Sequence, residues 1–231
     1  MVQAMDVVMK DNPDRGVAVR QRAPRRRTKL RDAEATRDEI LTAATQEFAE
    51  KGLFGARVEE IAARTATSKH MIYYYFGSKD GLYSAVLERA YTGFRTAERA
   101  IDYDALEPVE AISTLVAETF DAHLKNPETI RILMSENLDY ARHAKTIDHG
   151  GQRELVLHTT QSILDRGRDA GLFRGDIDAL QFHLTISAFS FFFVANRYTF
   201  GTVFELDMTD PQVIAAQRAE FIETMLSRCR V

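Results

Sequence analysis

The strongest constraint on this chain comes from residues 36–80, where apolar side chains recur at helical spacing in three short runs. Thr36 followed by Glu39 predicts a capping box at the start of the first helix, and Gly52 predicts its end. Ser68 is expected to cap the third helix, three residues after the second one breaks. Three short helices within about 45 residues, two of them joined by a three-residue turn, are typical of a helix-turn-helix. The apolar positions that carry this period are Ile40, Leu41, Ala44, Phe48, Val58, Ile61, Ala62, Ile72 and Phe76.

Beyond residue 80 the apolar period stays helical, and no alternating strand pattern appears. Only 12 Gly and 5 Pro interrupt the 231 residues, which also favours helices. The sequence therefore predicts an all-α chain, with a three-helix helix-turn-helix domain at 34–80 and a roughly six-helix domain at 81–231. The six longer helices are expected at 79–102, 108–125, 127–141, 152–170, 178–198 and 210–228, with a mobile loop over 142–151.

Charge is unevenly distributed along the chain. The formal net charge of −4 is, as an average, unfavourable for nucleic-acid binding. Residues 1–33, however, lack a helical period and are expected to form a disordered arm with nine basic and four acidic side chains, whereas 81–231 carries 22 acidic and 15 basic ones. The arm is either a solvated charge run or, beside a helix-turn-helix, a segment that contacts DNA. Its basic cluster contains Arg20, Arg22, Arg25, Arg26, Arg27, Lys29 and Arg31.

Neither a membrane span nor a disulfide is expected. The longest uncharged stretch, 179–196, contains Gln181, His183 and Asn196, so a buried helix is favoured over a transmembrane one. The first 30 residues are too charged for a signal peptide. Cys229 is the single cysteine and has no internal partner, which favours the reducing cytoplasm.

The segment from Val58 to Val86, VEEIAARTATSKHMIYYYFGSKDGLYSAV, resembles the tetracycline-repressor (TetR) family of bacterial regulators. The resemblance covers about residues 34–90 and rests on several spaced positions at once. Two positions depart from the family pattern: Arg57 stands where a hydroxyl residue often opens the second helix, and Ala66–Thr67 replaces Gly-Val in the turn. The matching positions are Phe48, Gly52, Ile61, Ala62, Ser68, Ile72, Tyr73, Phe76, Ser78, Lys79 and Leu82.

The resemblance implies that the third helix enters the major groove of DNA. Lys69, His70 and Met71 are then the expected base-reading residues, whereas Lys79, at a helix amino terminus, is suited to a phosphate. Because consecutive helical residues point about 100° apart, Tyr73, Tyr74 and Tyr75 cannot all be buried together with Ile72 and Phe76. The complete set of expected DNA contacts is Arg25, Arg26, Arg27, Thr36, Arg37, Arg57, Ser68, Lys69, His70, Met71, Tyr73, Tyr74, Tyr75 and Lys79.

For residues 81–231 the resemblance implies a ligand-binding and dimerisation domain, with the homodimer formed through the last two helices. A small-molecule effector is expected to change the separation of the two DNA-reading units and release a palindromic operator. Glu136–Asn137 and Gly171–Asp178 are similar to a branch that regulates aromatic or nitrogen-ring catabolism. The expected effector contacts are Phe94, Phe120, Arg131, Glu136, Asn137, Tyr140, His183, Phe189, Phe192 and Asn196.

Other function classes are less favoured. The sequence has no Gly-rich phosphate loop and no G-x-S-x-G nucleophile motif, so an enzyme is not expected. His143 and His149 lack a third ligand at metal spacing, and neither a metal nor a cofactor is expected. A DNA-organising protein without an effector, an activator of the same fold and, more remotely, a small helical enzyme remain as alternatives. A pocket of several hundred Å³ would separate the first of these from a sensor.

Overall fold

The computed structural model of this protein describes residues 25–99, 101–147 and 151–231. Over these residues the chain forms ten α-helices and two short 3-10 turns, at Tyr103–Ala105 and Ala144–Thr146, and the all-α prediction is confirmed. The α-helices are α1 (Arg25–Gly55), α2 (Val58–Ala63), α3 (Lys69–Phe76), α4 (Lys79–Arg99), α5 (Pro108–Lys125), α6 (Pro127–Leu138), α7 (Gln152–Asp169), α8 (Ala179–Ala195), α9 (Arg197–Val203) and α10 (Pro211–Cys229).

The first helix begins eleven residues before the predicted capping box, at Arg25. The prediction that residues 25–33 belong to a disordered arm is therefore wrong, and the rest of the arm, 1–24, lies outside the described residues. Thr36 is not a cap, since it lies inside α1 and its hydroxyl donates to the carbonyl of Asp32 at 2.8 Å. Arg, Lys, Ala and Glu predominate from 25 to 35, and their high helix propensity extends α1 in the amino-terminal direction.

Gly52 interrupts α1 without ending it. Its backbone adopts φ 67° and ψ 175°, and the helix resumes beyond this kink to Gly55. A side chain would be strained at this positive φ, so glycine suits the position. Across the kink, the Arg131 side chain of α6 donates from Nε to the Ala49 carbonyl at 2.8 Å. The kink thus lies against α6.

The described residues pack around two apolar cores. The first core joins α1, α2, α3 and the first half of α4, and includes Phe48, Ile61 and Ile72. We call α1–α3 and the first turn of α4 the head. Ile132 of α6 is fully buried in this same core, so the head is joined to the remainder of the chain by shared packing.

The second core lies between α5, α7, α8 and α10, with α5 in contact with both α8 and α10. We call the part of the chain from α5 onward the carboxyl-terminal domain. The side chains of Asp178 and Asp210 accept from the backbone amides of Gln181 and Gln212 and so cap α8 and α10. The predicted helix 178–198 is instead two helices, because Asn196 ends α8 and α9 starts at a new angle.

Two details of this domain differ from the predictions. Helix α6 ends at Leu138 rather than residue 141, because Tyr140 and Ala141 adopt positive φ values of 56° and 57°. The predicted mobile loop is wrong for its described first half, where His143 and Ala144 are buried. No single helix among the described residues is long and apolar enough to cross a membrane; α8 and α9 reach that length only together, with a 70° bend between them.

Candidate DNA interface and effector pockets

The turn that presents α3 is held by side-chain acceptors. Ser68 is confirmed as the cap of α3, since its hydroxyl oxygen accepts from the Met71 amide at 3.3 Å. Glu39, which was expected to complete a capping box with Thr36, instead accepts from the Ala66 amide at 3.0 Å. Ala66 does not adopt a positive φ, so this turn needs no glycine. The carboxylate of Glu39 on α1 therefore fixes the turn that precedes α3.

Helix α3 buries one face and exposes the other. Ile72 is 1% exposed and anchors the helix, whereas Tyr73 and Tyr74 are 38% and 74% exposed. Tyr75 is half-buried, so the three tyrosines point in different directions, as the helical geometry predicts. Lys69 and His70 lie on the exposed side, and Met71 is half-buried. Donors, a cation and a thioether thus share one outward surface, which we call the α3 face.

Lys69, expected to read a base, already has a partner in the free protein. Its ammonium group forms an ion pair with Glu59 of α2 and lies 5.8 Å from the Tyr73 ring centroid. The ion pair lowers the pKa of Glu59 and raises the pKa of Lys69. Because both side chains are exposed, this ion pair is weak and costs little to exchange for another acceptor.

The remaining expected DNA contacts flank this face. Arg37 is exposed on α1 and its guanidinium lies 5.3 Å from the Phe76 ring. Arg57 is exposed immediately before α2. Lys79 begins α4 and donates from Nζ to the Ala56 carbonyl at 3.2 Å. Thr36 is half-buried on α1. The side chains of Arg25, Arg26 and Arg27 lie outside the described part, although their backbone is helical.

The predicted effector residues are not gathered in a single pocket. Phe189 and Phe192 line an apolar pocket of about 400 Å³ between α8, α9 and α10. Phe193 lines the same pocket and contacts the buried Phe120 ring at 5.2 Å, so Phe120 supports the pocket from the core. Sequence reasoning missed Phe193, Met208 and Gln217, and it also missed Phe200 of α9, which the unpredicted bend at Asn196 brings to this pocket. We call this the aromatic pocket.

Glu136, predicted to orient an effector, is instead committed to holding the backbone. Its carboxylate is 3% exposed and accepts from the amides of His143 at 2.6 Å and Ala144 at 2.9 Å. The His143 ring packs edge-on against Tyr83 at 5.0 Å and places Nε2 3.3 Å from a carboxylate oxygen of Asp80 on α4. Burial, and next the nearby Glu136, raise the pKa of Tyr83. The connection after α6 is therefore tied to the start of α4.

The other predicted effector residues are dispersed. Arg131 lines a separate cleft of about 270 Å³ between α1, α6 and the junction of α8 and α9. Asn137 and Tyr140 are exposed, the latter by 84%. Asn196 ends α8 by donating to the Phe192 carbonyl at 3.3 Å. The side chain of Phe94 is outside the described part of the chain.

His183 belongs to a pair of partly buried histidines that the sequence did not indicate. It lies on α8, with Nε2 3.3 Å from the Ser187 hydroxyl, and His123 on α5 has Nδ1 2.7 Å from the Thr119 carbonyl. Burial lowers the pKa of both, and His123 further lowers that of His183. Both imidazoles are thus neutral at neutral pH, inside the carboxyl-terminal domain.

These two histidines predict acid sensitivity. An unfolded histidine titrates near 6.5, and the folded values are lower, so below pH 6.5 the unfolded chain binds protons that the folded chain does not. The free energy of unfolding should have its full value above this pH. Below it, the free energy of unfolding should fall by at most about 1.4 kcal/mol per histidine per pH unit. Urea unfolding at about pH 7.5 and about pH 5.5 measures the fall, which H183Q should reduce and H158Q, at an exposed histidine, should not. An equal fall in both variants would contradict this assignment.

Within the described residues no group of three or more His, Cys, Asp and Glu side chains is arranged to hold a metal ion.

Two family models match the sequence. Residues 40–86 match "Bacterial regulatory proteins, tetR family", and residues 108–225 match "Tetracyclin repressor-like, C-terminal domain". The first range contains the α3 face, and the second spans α5 to most of α10.

Individual proteins agree with these matches. The chain is 36% identical to the HTH-type transcriptional repressor NicS of Pseudomonas putida, over 81% of this chain and 89% of that protein. It is 30% identical to the HTH-type transcriptional repressor SCO4008 of Streptomyces coelicolor, over 64% of this chain and 73% of that protein. Among solved structures, the putative transcriptional regulator SCO4942 of S. coelicolor superimposes with a TM-score of 0.62 at 25% identity, covering 84% of this chain and 98% of that one.

Proposed function

Because this chain belongs to the TetR family of bacterial transcriptional regulators, we propose that it is a cytoplasmic repressor whose homodimer binds a palindromic operator and is released by a small-molecule effector. The α3 face carries this proposal. A short helix anchored by the buried Ile72 presents Lys69, His70 and Tyr74 outward, where side chains of a recognition helix meet base edges and phosphates.

The candidate DNA contacts of the head fall into three groups in this proposal. His70 and Met71, in the first turn of α3, read bases, and Lys69 joins them when it leaves Glu59. Tyr73, Tyr74 and Tyr75 bind phosphates or sugars through their hydroxyls. Flanking phosphate contacts come from Thr36, Arg37, Arg57 and Lys79, and from the basic residues at the start of α1.

The proposed homodimer is supported by apolar side chains that α8 leaves exposed. Leu180 and Leu184 are 46% and 57% exposed, and they lie on a helix that carries apolar residues on more than one face. Such a helix is ordinarily covered on every side. A second copy packed against α8 and α10 would cover it, and two heads related by a twofold axis would then read two half-sites.

The aromatic pocket supports the proposed effector. Its volume of about 400 Å³ suits a small molecule, and its ring-rich wall suits an aromatic or heteroaromatic one. Gln217 is a polar lining residue that can orient such a ring by hydrogen bonding. A pocket of this size supports a sensor over a DNA-organising protein without an effector.

Selection of bound sequences from random duplex DNA tests the proposed function. We expect an inverted repeat bound by two copies of the chain, with half-sites one helical turn or a small multiple apart. Binding without sequence preference would favour the DNA-organising alternative instead.

Lys79→Gln should then weaken operator binding by about tenfold and lower the salt slope by about 1, because one phosphate contact is lost. The loss should be similar for the operator and for variants with altered bases, since a phosphate contact carries no sequence information. Fluorescence anisotropy at several salt concentrations measures both quantities. Lys125→Gln, at an exposed lysine of α5, is the matched control. A changed base preference in Lys79→Gln would contradict the phosphate role.

A further inference from the structure

The cleft beside Arg131 has its own chemistry. It has a volume of about 270 Å³ and opens where α1, α6 and the junction of α8 and α9 meet. Its wall is mostly apolar, with contributions from all of these elements, and it contains two arginines, Arg131 and Arg197. The apolar lining includes Phe48, Met134, Leu138, Val194 and Tyr198. We call it the arginine cleft.

Neither arginine has a carboxylate partner among the described residues within the 4.0 Å that defines an ion pair. Arg131 donates from Nε to the Ala49 carbonyl, which leaves its two terminal amino groups for another acceptor. Arg197 donates to the Tyr198 hydroxyl at 2.8 Å, and its guanidinium lies 4.8 Å from that ring. Two guanidinium groups that form no ion pair within this distance thus line one concave surface.

One acidic side chain, Glu50, also lines the cleft, and it already forms an ion pair with an arginine outside the cleft. Its carboxylate lies 2.9 Å from the Arg64 guanidinium on the head. That interaction with Arg64 is the main cause of the lowered pKa of Glu50, to which Lys51 and Arg131 add. The charge in the cleft that remains without a partner is therefore positive.

We propose that the arginine cleft binds a small organic carboxylate with a flat apolar body. The planar guanidinium fork is the side-chain group best matched to a carboxylate. Arg131 and Arg197 bind the carboxylate, and the body packs against Met134 and Tyr198. An inorganic anion would leave this apolar wall unused, and an uncharged ring would leave both arginines unpaired.

The position of the cleft gives its occupant influence over the head. Arg131 also bonds to Ala49, three residues before the kink at Gly52, so a ligand that draws on this guanidinium acts on the contact between α1 and α6. If the chain is the proposed repressor, the cleft is a second input to the head, separate from the aromatic pocket. The binding itself does not depend on that role.

Benzoate, titrated into the full chain by calorimetry without DNA, tests the proposal. We expect saturable binding that weakens at least about tenfold in Arg197→Gln and in Arg131→Gln, since each removes a charge-assisted hydrogen bond. Arg142→Gln, at an exposed arginine outside the cleft, should bind benzoate as the parent does. Benzyl alcohol, which has the same ring without the charge, should bind at least about tenfold more weakly.

Three outcomes would overturn the proposal: no saturable benzoate binding at millimolar concentration, equal affinity for benzyl alcohol, or equal affinity in both cleft variants. If Arg131→Gln misfolds, Arg197→Gln alone tests the proposal, because the hydrogen bond and the ring contact that the structure shows for Arg197 both involve its neighbour Tyr198. Operator affinity measured without benzoate tests the proposed function separately, so either idea can fail alone.

Discussion

Replacing Glu136 with alanine is expected to lower the free energy of unfolding by about 3–5 kcal/mol. The carboxylate is 3% exposed and accepts two buried backbone amides, those of His143 and Ala144. Alanine would leave both amides without an acceptor, and water cannot reach them unless the connection after α6 moves. The His143 ring would also lose the support that holds it against Tyr83. Guanidinium unfolding followed by circular dichroism measures the loss.

Two further variants define the cause. Glu136→Gln keeps an oxygen acceptor of nearly the same shape, so its loss should be smaller than that of alanine. Glu88→Ala removes an exposed glutamate from the interior of α4 and should change stability by no more than about 0.5 kcal/mol. If Glu136→Ala were as stable as Glu88→Ala, the carboxylate would not be what holds this connection.

The second large effect is expected for the basic cluster at the amino terminus. Replacing its seven residues by glutamine should lower operator affinity by at least about 100-fold at physiological salt. Each phosphate contact that is lost reduces the number of counterions that are released from the DNA on binding. The slope of log affinity against log salt should become shallower by about 0.9 for each such contact, and by up to about 6 if all seven take part. The substituted residues are Arg20, Arg22, Arg25, Arg26, Arg27, Lys29 and Arg31.

Substitution is a sharper test than deletion, since removing residues 1–33 would also remove the first turns of α1. Glutamine has nearly the helix propensity of arginine and lysine, so α1 should be retained. Arg142→Gln with Lys145→Gln, at two exposed basic residues of the carboxyl-terminal domain, controls for a general loss of positive charge. An unchanged salt slope in the sevenfold variant would remove the cluster from the DNA interface.

The head was largely predictable from sequence because its signals are local. Ser68 and the buried Ile72 lie within one short segment, and a cap and an apolar period suffice to place α3. The start of α1 was predicted wrongly because that prediction, too, relied on a local pattern. Thr36 and Glu39 have the spacing of a capping box, but Glu39 is used by Ala66, 27 residues further along the chain. A local pattern cannot reveal that a distant amide competes for the same carboxylate.

The effector residues were predicted less well, because their roles depend on packing between helices. Phe189 and Phe192 face the aromatic pocket, but Glu136 has the same side chain whether it orients a ligand or holds a loop. The bend at Asn196 creates both the aromatic pocket and the end of the arginine cleft, and no proline or glycine marks it. Only the three-dimensional arrangement separates these roles.

Ile132 limits how far this protein can be treated as two interchangeable modules. By sequence it belongs to α6, yet it is fully buried among the residues of the head. A chimera that joins this head and the first half of α4 to the carboxyl-terminal domain of another regulator would therefore leave a cavity where Ile132 packs, unless the new domain brings a side chain of similar shape to the same place. Exchange of heads between relatives is constrained by that fit as well as by the DNA sequence each head reads.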